Sequence, residues 1–342
     1  MTNEERISAF AALGSEIKRV LSGNPATESG KALLTELSSL YLSNGWFTEE
    51  NIRHRLSVIA GNLGKNALEK WMSEYAIGEE KRKKIVVIMA GNIPLAGFDD
   101  FRCVLLSGND FTGRLASDDK RLPVLLAGML VEMEPRFAER IVFHEGILKE
   151  ADAVIATGSN NSSRYFEHYF SKFPNIIRRN RNSVAVLTGN ETEAELKELG
   201  EDVFRYFGLG CRNVTKLFVP EKYDFGAFFR AIVDWGEVMC NNKKYMNNYE
   251  YHRTLFLLNS EKLLDNNFLL LKQDVGISSP PGVLYYEFYA DKNEVENRLR
   301  ADRELIQCVV DGNGTAFGCA QLTGLSDFAD NIDVMDFLIP LS

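Results

Sequence analysis

The chain has 342 residues, 45% apolar and 25% charged, with a net charge of −9, which is ordinary globular composition and enough length for two or three domains of about 100–200 residues. The acidic balance excludes a broad electrostatic grip on nucleic acid, which needs clustered Lys and Arg. Five cysteines without a CxxC pair and four scattered histidines give no disulfide framework or metal site; no apolar run reaches the roughly 18 residues of a membrane span, and no signal core opens the chain, so a reducing, cytoplasmic location is expected.

Residues 1–84 read as helices. Ile7, Phe10, Leu13 and Ile17 recur at helical spacing, as do Leu33, Leu34, Leu37 and Leu40. The charged run at residues 78–84 reads as a solvated connection. The texture then changes. Ile85-Val-Val-Ile-Met-Ala is a short β-branched run, as in a strand covered on both faces, and it ends in Gly91-Asn92-Ile93-Pro94. A helix over 95–106, a strand over 110–115, a helix over 118–133, strands at 141–143 and 153–156 and a helix through Phe170 repeat the alternation, which predicts βαβ units and a mainly parallel sheet.

A strand over 183–187 leads to a helix with Asn190 as its expected N-cap and Glu193 three positions on. That helix delivers the chain to Gly208-Leu-Gly-Cys211, before a strand over 216–219. A helix over 225–240, a helical region to Leu258, strands near 268–271 and 283–289, a helix around 293–300 and a strand over 305–310 follow. The last thirty or so residues read as turns and an extended tail.

Four loops could carry chemistry. Cys211 lies between Gly210 and Arg212, where backbone can approach a ligand and a guanidinium would favour the thiolate; the same pattern fits a small buried cysteine at a turn. Asn92 offers the amide donor that an oxyanion beside a nucleophile needs, or is a turn residue before Ile-Pro. Arg114 to Ser117 follow another strand. Thr157-Gly158-Ser159 opens a helix, where amides and a hydroxyl could hold a phosphate or cap the helix. Arg178, Arg179 and Arg181 could neutralise phosphates, or form a solvated strand edge.

Over residues 85–310, these motifs in this order resemble the aldehyde dehydrogenase superfamily, and specifically its acyl-CoA reductase branch, the relatives of the fatty-acid reductase of bacterial bioluminescence. The resemblance implies an α/β fold with a Rossmann-type parallel-sheet domain and a second α/β catalytic domain. It makes Cys211 the nucleophile and Asn92 the oxyanion-hole amide, and assigns Arg114, Ser117, Thr157, Gly158 and Ser159 to the nicotinamide dinucleotide. Asp274 lies near the place of a second ribose-binding acid, or is a surface-loop acid. The boundaries it suggests are a helical segment over 1–84 packing on the cofactor domain, a dinucleotide-binding domain over 85–207, a catalytic domain over 208–311 and an extended tail over 312–342.

Two departures shape the expected activity. Hydrolytic members carry a water-activating glutamate shortly before the strand that begins here at Ser183, whereas residues 175–181 read Asn-Ile-Ile-Arg-Arg-Asn-Arg, without an acid. Ser117 stands where NAD-preferring members often have a glutamate, and Arg114 replaces the common lysine; both changes suit the 2′-phosphate of NADPH, with NADH the alternative. The expectation is reduction of an acyl-CoA to an aldehyde through an acyl-cysteine, with coenzyme A as part of the substrate. The alternatives are an aldehyde dehydrogenase, an acyl-phosphate reductase or a non-catalytic partner-binding relative. A homodimer, and an acyltransferase or acyl-ligase partner, are the implied associations.

Overall fold

The computed structural model describes residues 1–78, 82–146 and 150–341, so the connection expected at 78–84 lies partly outside the described residues. The chain divides into two compact units, residues 1–179 with 324–342, and residues 180–323.

The first unit opens with α1 (Asn3–Leu21), α2 (Glu28–Glu36), α3 (Leu40–Ser43), α4 (Glu49–Asn62) and α5 (Lys65–Met72). Thr2 and Glu5 form a capping box that starts α1, and Phe10, Leu13, Ile17 and Val20 then fall on one stripe and are fully buried. The alternating part contains β1 (Lys84–Ile88), α6 (Phe98–Leu106), β2 (Asp110–Arg114), α7 (Leu122–Met133), β3 (Ile141–Phe143), β4 (Ala153–Thr157), α8 (Asn160–Phe170) and β5 (Asn175–Arg178). The five strands are parallel, in the order β3-β2-β1-β4-β5. β1 is covered on both faces: Ile85 and Val87 join the core with the N-terminal helices, while Val86 and Ile88 join a second cluster with Val154 and Phe170. Strand order reverses between β1 and β4, the point at which open α/β sheets leave a crevice outside the carboxyl ends of their strands.

The second unit contains β6 (Asn182–Val186), α9 (Glu193–Phe204), β7 (Val214–Pro220), α10 (Phe225–Ala231), α11 (Trp235–Asn241), α12 (Lys243–Leu258), β8 (Leu263–Asp265), β9 (Leu270–Gln273), β10 (Val283–Tyr289), α13 (Lys292–Ala301) and β11 (Ile306–Val310). Its sheet runs β11-β6-β7-β10-β9-β8, parallel except for the β8/β9 pair. The chain then returns to the first unit, where α14 (Val334–Leu338) buries Val334, Met335 and Leu338 in the first core.

The structure departs from the sequence expectations at five places. The division falls at 179/180 and not at 207/208, because β6 pairs with β7 and β11 and α9 packs on β7 and α10. Thr192, not Asn190, caps α9, since Thr192 and Glu195 complete a reciprocal capping box. The helix expected over 225–240 is two helices, with Ile232 capping the first. Residues 175–178 form β5, which pairs with β4 alone. The tail is not extended throughout: α14 is capped by Asp333, which also accepts a hydrogen bond of 2.8 Å from the Tyr75 hydroxyl.

Candidate functional site

In the first unit, three of the singled-out loops stand side by side. β2, β1 and β4 are adjacent and parallel, with Ile88 in register with Arg114 on one side and Ala156 on the other. Their carboxyl ends therefore bring Asn92, Arg114, Ser117 and Thr157 to Ser159 to one edge of one sheet. Asn92, Arg114, Ser117 and Ser159 are exposed there.

Backbone packing fixes each loop. A Cβ on Gly91 would lie 2.6 Å from the Cβ of Ala116, and one on Gly158 would lie 2.8 Å from the Phe166 ring, so both positions need glycine for close approach. Leu95, just past Pro94, has φ 56°; a bulky side chain in the left-handed region costs on the order of 1–3 kcal/mol and persists only where its surroundings hold it. Its amide donates to Asp119 Oδ2 at 2.7 Å in a buried bond. Burial pushes the Asp119 carboxyl up to about 7, against the pull of the Leu95 and Leu122 amides.

Ser159 is the N-cap of α8, its hydroxyl accepting from the Ser162 amide at 3.2 Å. Capping thus occupies that oxygen, and the amino end of an eleven-residue helix remains the anion-favouring element of the loop. Thr157 Oγ1 accepts from Arg178 Nη1 at 3.4 Å. Arg178 is buried and forms a two-pronged pair with Asp100 at 2.6 and 2.8 Å, which spends its charge inside the protein. Arg179 pairs with Glu167 at the surface, and Arg181, in the second unit, donates to the carbonyls of Arg303 and Ile306. Each of the three arginines thus has partners of its own.

In the second unit, Cys211 occupies a tight turn just before β7. The Asn213 amide donates to the Gly210 carbonyl at 3.0 Å, which makes Cys211 and Arg212 the two central residues. Asn213 has no solvent exposure. Its Oδ1 accepts from the Gly210 amide at 2.8 Å, and its Nδ2 donates to the carbonyls of Asp202, Val203 and Arg205 at 3.0, 3.4 and 2.8 Å. This staple closes a loop in which Tyr206, Phe207 and Gly208 are left-handed in succession, at φ 54°, 58° and 75°. Two consecutive aromatic residues in that region are strained, and the buried amide holds them.

Further contacts pin the turn on both sides. The Cys211 carbonyl accepts from Ser183 Oγ at 3.1 Å, and the same hydroxyl lies 3.0 Å from Cys308 Sγ. Arg212 Nε donates to the Ala320 carbonyl at 2.5 Å, and its charge reaches Cys308, whose thiol burial pushes up while Arg212 and Ser183 pull it down. Asp202, buried in α9, accepts from the Gly318 and Ala320 amides at 2.7 and 2.8 Å; burial raises its carboxyl to about 6. Cys211 itself is half-buried. Asp274 follows β9 in this unit: burial pushes its carboxyl up, but the Gly276 amide, Lys272 and Lys216 more than offset this and leave it low. The Lys216 ammonium also donates to the Asp274 carbonyl oxygen.

Sequence reading did not single out Asn213, Asp202, Asp119 or the Asp100–Arg178 pair. Asn213 carried a local signal, a turn-forming residue three positions after glycine and directly before a strand. Partners from residues 202–205 are not visible in a string. Among the described residues no group of His, Cys, Asp and Glu is arranged to hold a metal, and no helix is long and apolar enough to cross a membrane.

No family model and no curated protein matches the sequence. Solved structures do match in fold. An NAD-dependent aldehyde dehydrogenase from Sinorhizobium meliloti superposes with a TM-score of 0.65 at 11% identity, over 88% of this chain and 68% of that one. An indole-3-acetaldehyde dehydrogenase complexed with NAD+ gives 0.63 at 11% identity, over 87% and 70%. An aldehyde dehydrogenase from Bacillus cereus in its NAD+ complex gives 0.57 at 14% identity, over 87% and 69%. The fold is aldehyde dehydrogenase-like.

Proposed function

From an aldehyde dehydrogenase-like fold, we propose that this chain is a nicotinamide-dependent oxidoreductase acting at the aldehyde level, and that it runs as a reductase of acyl thioesters such as acyl-CoA. The observation that carries the proposal is the turn at Cys211, where a half-buried thiol follows the strained Tyr206-Phe207 segment and is fixed by the fully buried Asn213 amide. Rigid presentation of a nucleophile is what covalent acyl transfer needs. The missing acid at residues 175–181 favours a thiol over water as acyl exchange partner, and at residue 178 the chain has instead an arginine committed to Asp100.

In this reading the Cys211 thiolate attacks the thioester carbonyl, and the Asn92 amide is assigned to the developing oxyanion. The tetrahedral adduct collapses with loss of the coenzyme A thiolate, leaving an acyl-cysteine thioester. A reduced nicotinamide supplies the hydride that converts the acyl group to the aldehyde level. Cys211 is then released as thiolate when the thiohemiacetal breaks its C–S bond. The edge formed by the carboxyl ends of β1, β2 and β4 fits a dinucleotide: Gly91 and Gly158 let their loops pack closely on Ala116 and Phe166, α8 offers its amino end, and Arg114 supplies an exposed cation. Arg114, Ser117, Thr157, Gly158 and Ser159 are the residues assigned to hold it, with Asp274 as a second ribose contact. The Arg114 and Ser117 pair favours NADPH over NADH.

Intact-mass measurement after incubation with an acyl-CoA, without nucleotide, tests the central step. The expected result is a gain of one acyl group, lost in Cys211→Ala together with release of free coenzyme A. Substrate-dependent NADPH oxidation that survives in Cys211→Ala would overturn the mechanism.

A further inference from the structure

Two loops at the edge of the first sheet grip each other through one buried carboxylate. Asp119 Oδ2 accepts from the Leu95 amide, and Leu95 is the left-handed residue that ends the stretch Gly91, Asn92, Ile93, Pro94. At the other end of that stretch, a Cβ added to Gly91 would meet Ala116 at 2.6 Å and the Asp119 amide nitrogen at 3.3 Å. The segment carrying Asn92 is thus held at both ends by residues 116–119, the same segment that carries Ser117. Asp119 is 4% exposed, and its Oδ1 is buried with no hydrogen-bond partner. An acid whose second oxygen goes unsatisfied is a poor choice for filling space, because burying an unpaired polar atom opposes folding. The Leu122 amide, which opens α7, also pulls on this carboxyl, so Asp119 joins the Leu95 amide to the segment that leads into α7.

We propose that Asp119 is a positioning residue that locks the Asn92 segment to the Ser117 segment, so that the oxyanion-directed amide and the nucleotide-facing loop keep one fixed relation. The catalytic part of this inference rests on the role proposed above for Asn92. The geometric part does not.

The test uses the full chain with Asp119→Ala, which removes the acceptor without adding bulk, and Asp119→Asn, which retains an oxygen for the Leu95 amide. Hydrogen exchange across residues 90–97 should accelerate at least about tenfold in Asp119→Ala and return to within about threefold of wild type in Asp119→Asn. Unchanged exchange there overturns the lock, and a rise shared equally by peptides of β4 and α8 overturns it in favour of a general structural role. Acylation of Cys211 by acyl-CoA without nucleotide should fall about 10²-fold in Asp119→Ala, and Asn92→Ala added to it should cost little more, since both act on one donor. Full additivity of the two losses also overturns the proposal. A wild-type chain that never acylates would instead remove the proposed function, with the exchange result still deciding whether Asp119 fixes the loop.

Discussion

Both units are built on largely parallel sheets, yet the candidate nucleophile of the second lies before a strand, whereas Asp274 and the candidates of the first lie at carboxyl strand ends. In the first unit Asn92, Arg114, Ser117 and Thr157 stand at the carboxyl ends of β1, β2 and β4. In the second, Cys211 lies in the turn before β7, and Ser183, which bonds to it, lies at the start of β6. The means of fixing differ accordingly. The first unit relies on glycines pressed against neighbouring loops, with Asp119 as the polar tie. The second relies on buried side chains, Asn213 and Asp202, that bond to backbone groups. A crevice at carboxyl ends comes with the parallel topology itself, whereas a thiol before a strand has to be held there by specific contacts.

The largest effect should come from removing the second unit's staple. Asn213→Leu leaves three carbonyls and one amide without their buried partner and should cost roughly 3–5 kcal/mol. Denaturant titration followed by hydrogen exchange would place that loss in peptides of residues 180–323; a loss below about 1 kcal/mol would break the contrast between the units. In the first unit, Gly91→Ala should cost roughly 2–3 kcal/mol by overpacking against Ala116. Adding Ala116→Gly should recover most of it in thermal melts, and an absence of recovery would show that the loops are not held by this contact.

The smallest effect is pH-dependent and sharpens the second half of the comparison. The folded pKa of Asp202 is raised from 3.8 to about 6 by burial. The folded state thus holds the proton longer than the unfolded one, and the stability this contributes is full below about pH 4 and lost as pH rises through 6. Asp202→Asn cannot titrate, so its stability relative to wild type should rise by about 1–2 kcal/mol between pH 5 and pH 7.5. Parallel stability curves for the two proteins would show that Asp202 does not titrate in the fold.

The sequence made the first unit's edge legible because β1 is a β-branched run followed by glycine and proline, and because Thr157-Gly158-Ser159 opens a helix. Periodicity and turn chemistry carry both signals. β5 escaped because its four residues run into arginines, and the burial of Arg178 depends on Asp100, 78 positions away. Cys211 was legible through its flanking glycines, but nothing in Tyr206 or Phe207 marks a left-handed backbone, since aromatic residues rarely adopt one. Asn190 is the better cap by residue type, but Glu195 decides for Thr192 by accepting from its amide at 2.8 Å. The closing helix did carry a pattern, Val334, Met335 and Leu338 after an aspartate, too short to separate from a turn.

The return of α14 to the first core has a consequence for how the molecule is made. On the ribosome, all of residues 180–323 emerge before Val334, Met335 and Leu338 can be placed, so the second unit can close while the first still lacks part of its interior. Domains generally fold as units as synthesis proceeds. Here the unit that is begun first is completed last, since its closing helix follows the whole of the second unit in the chain.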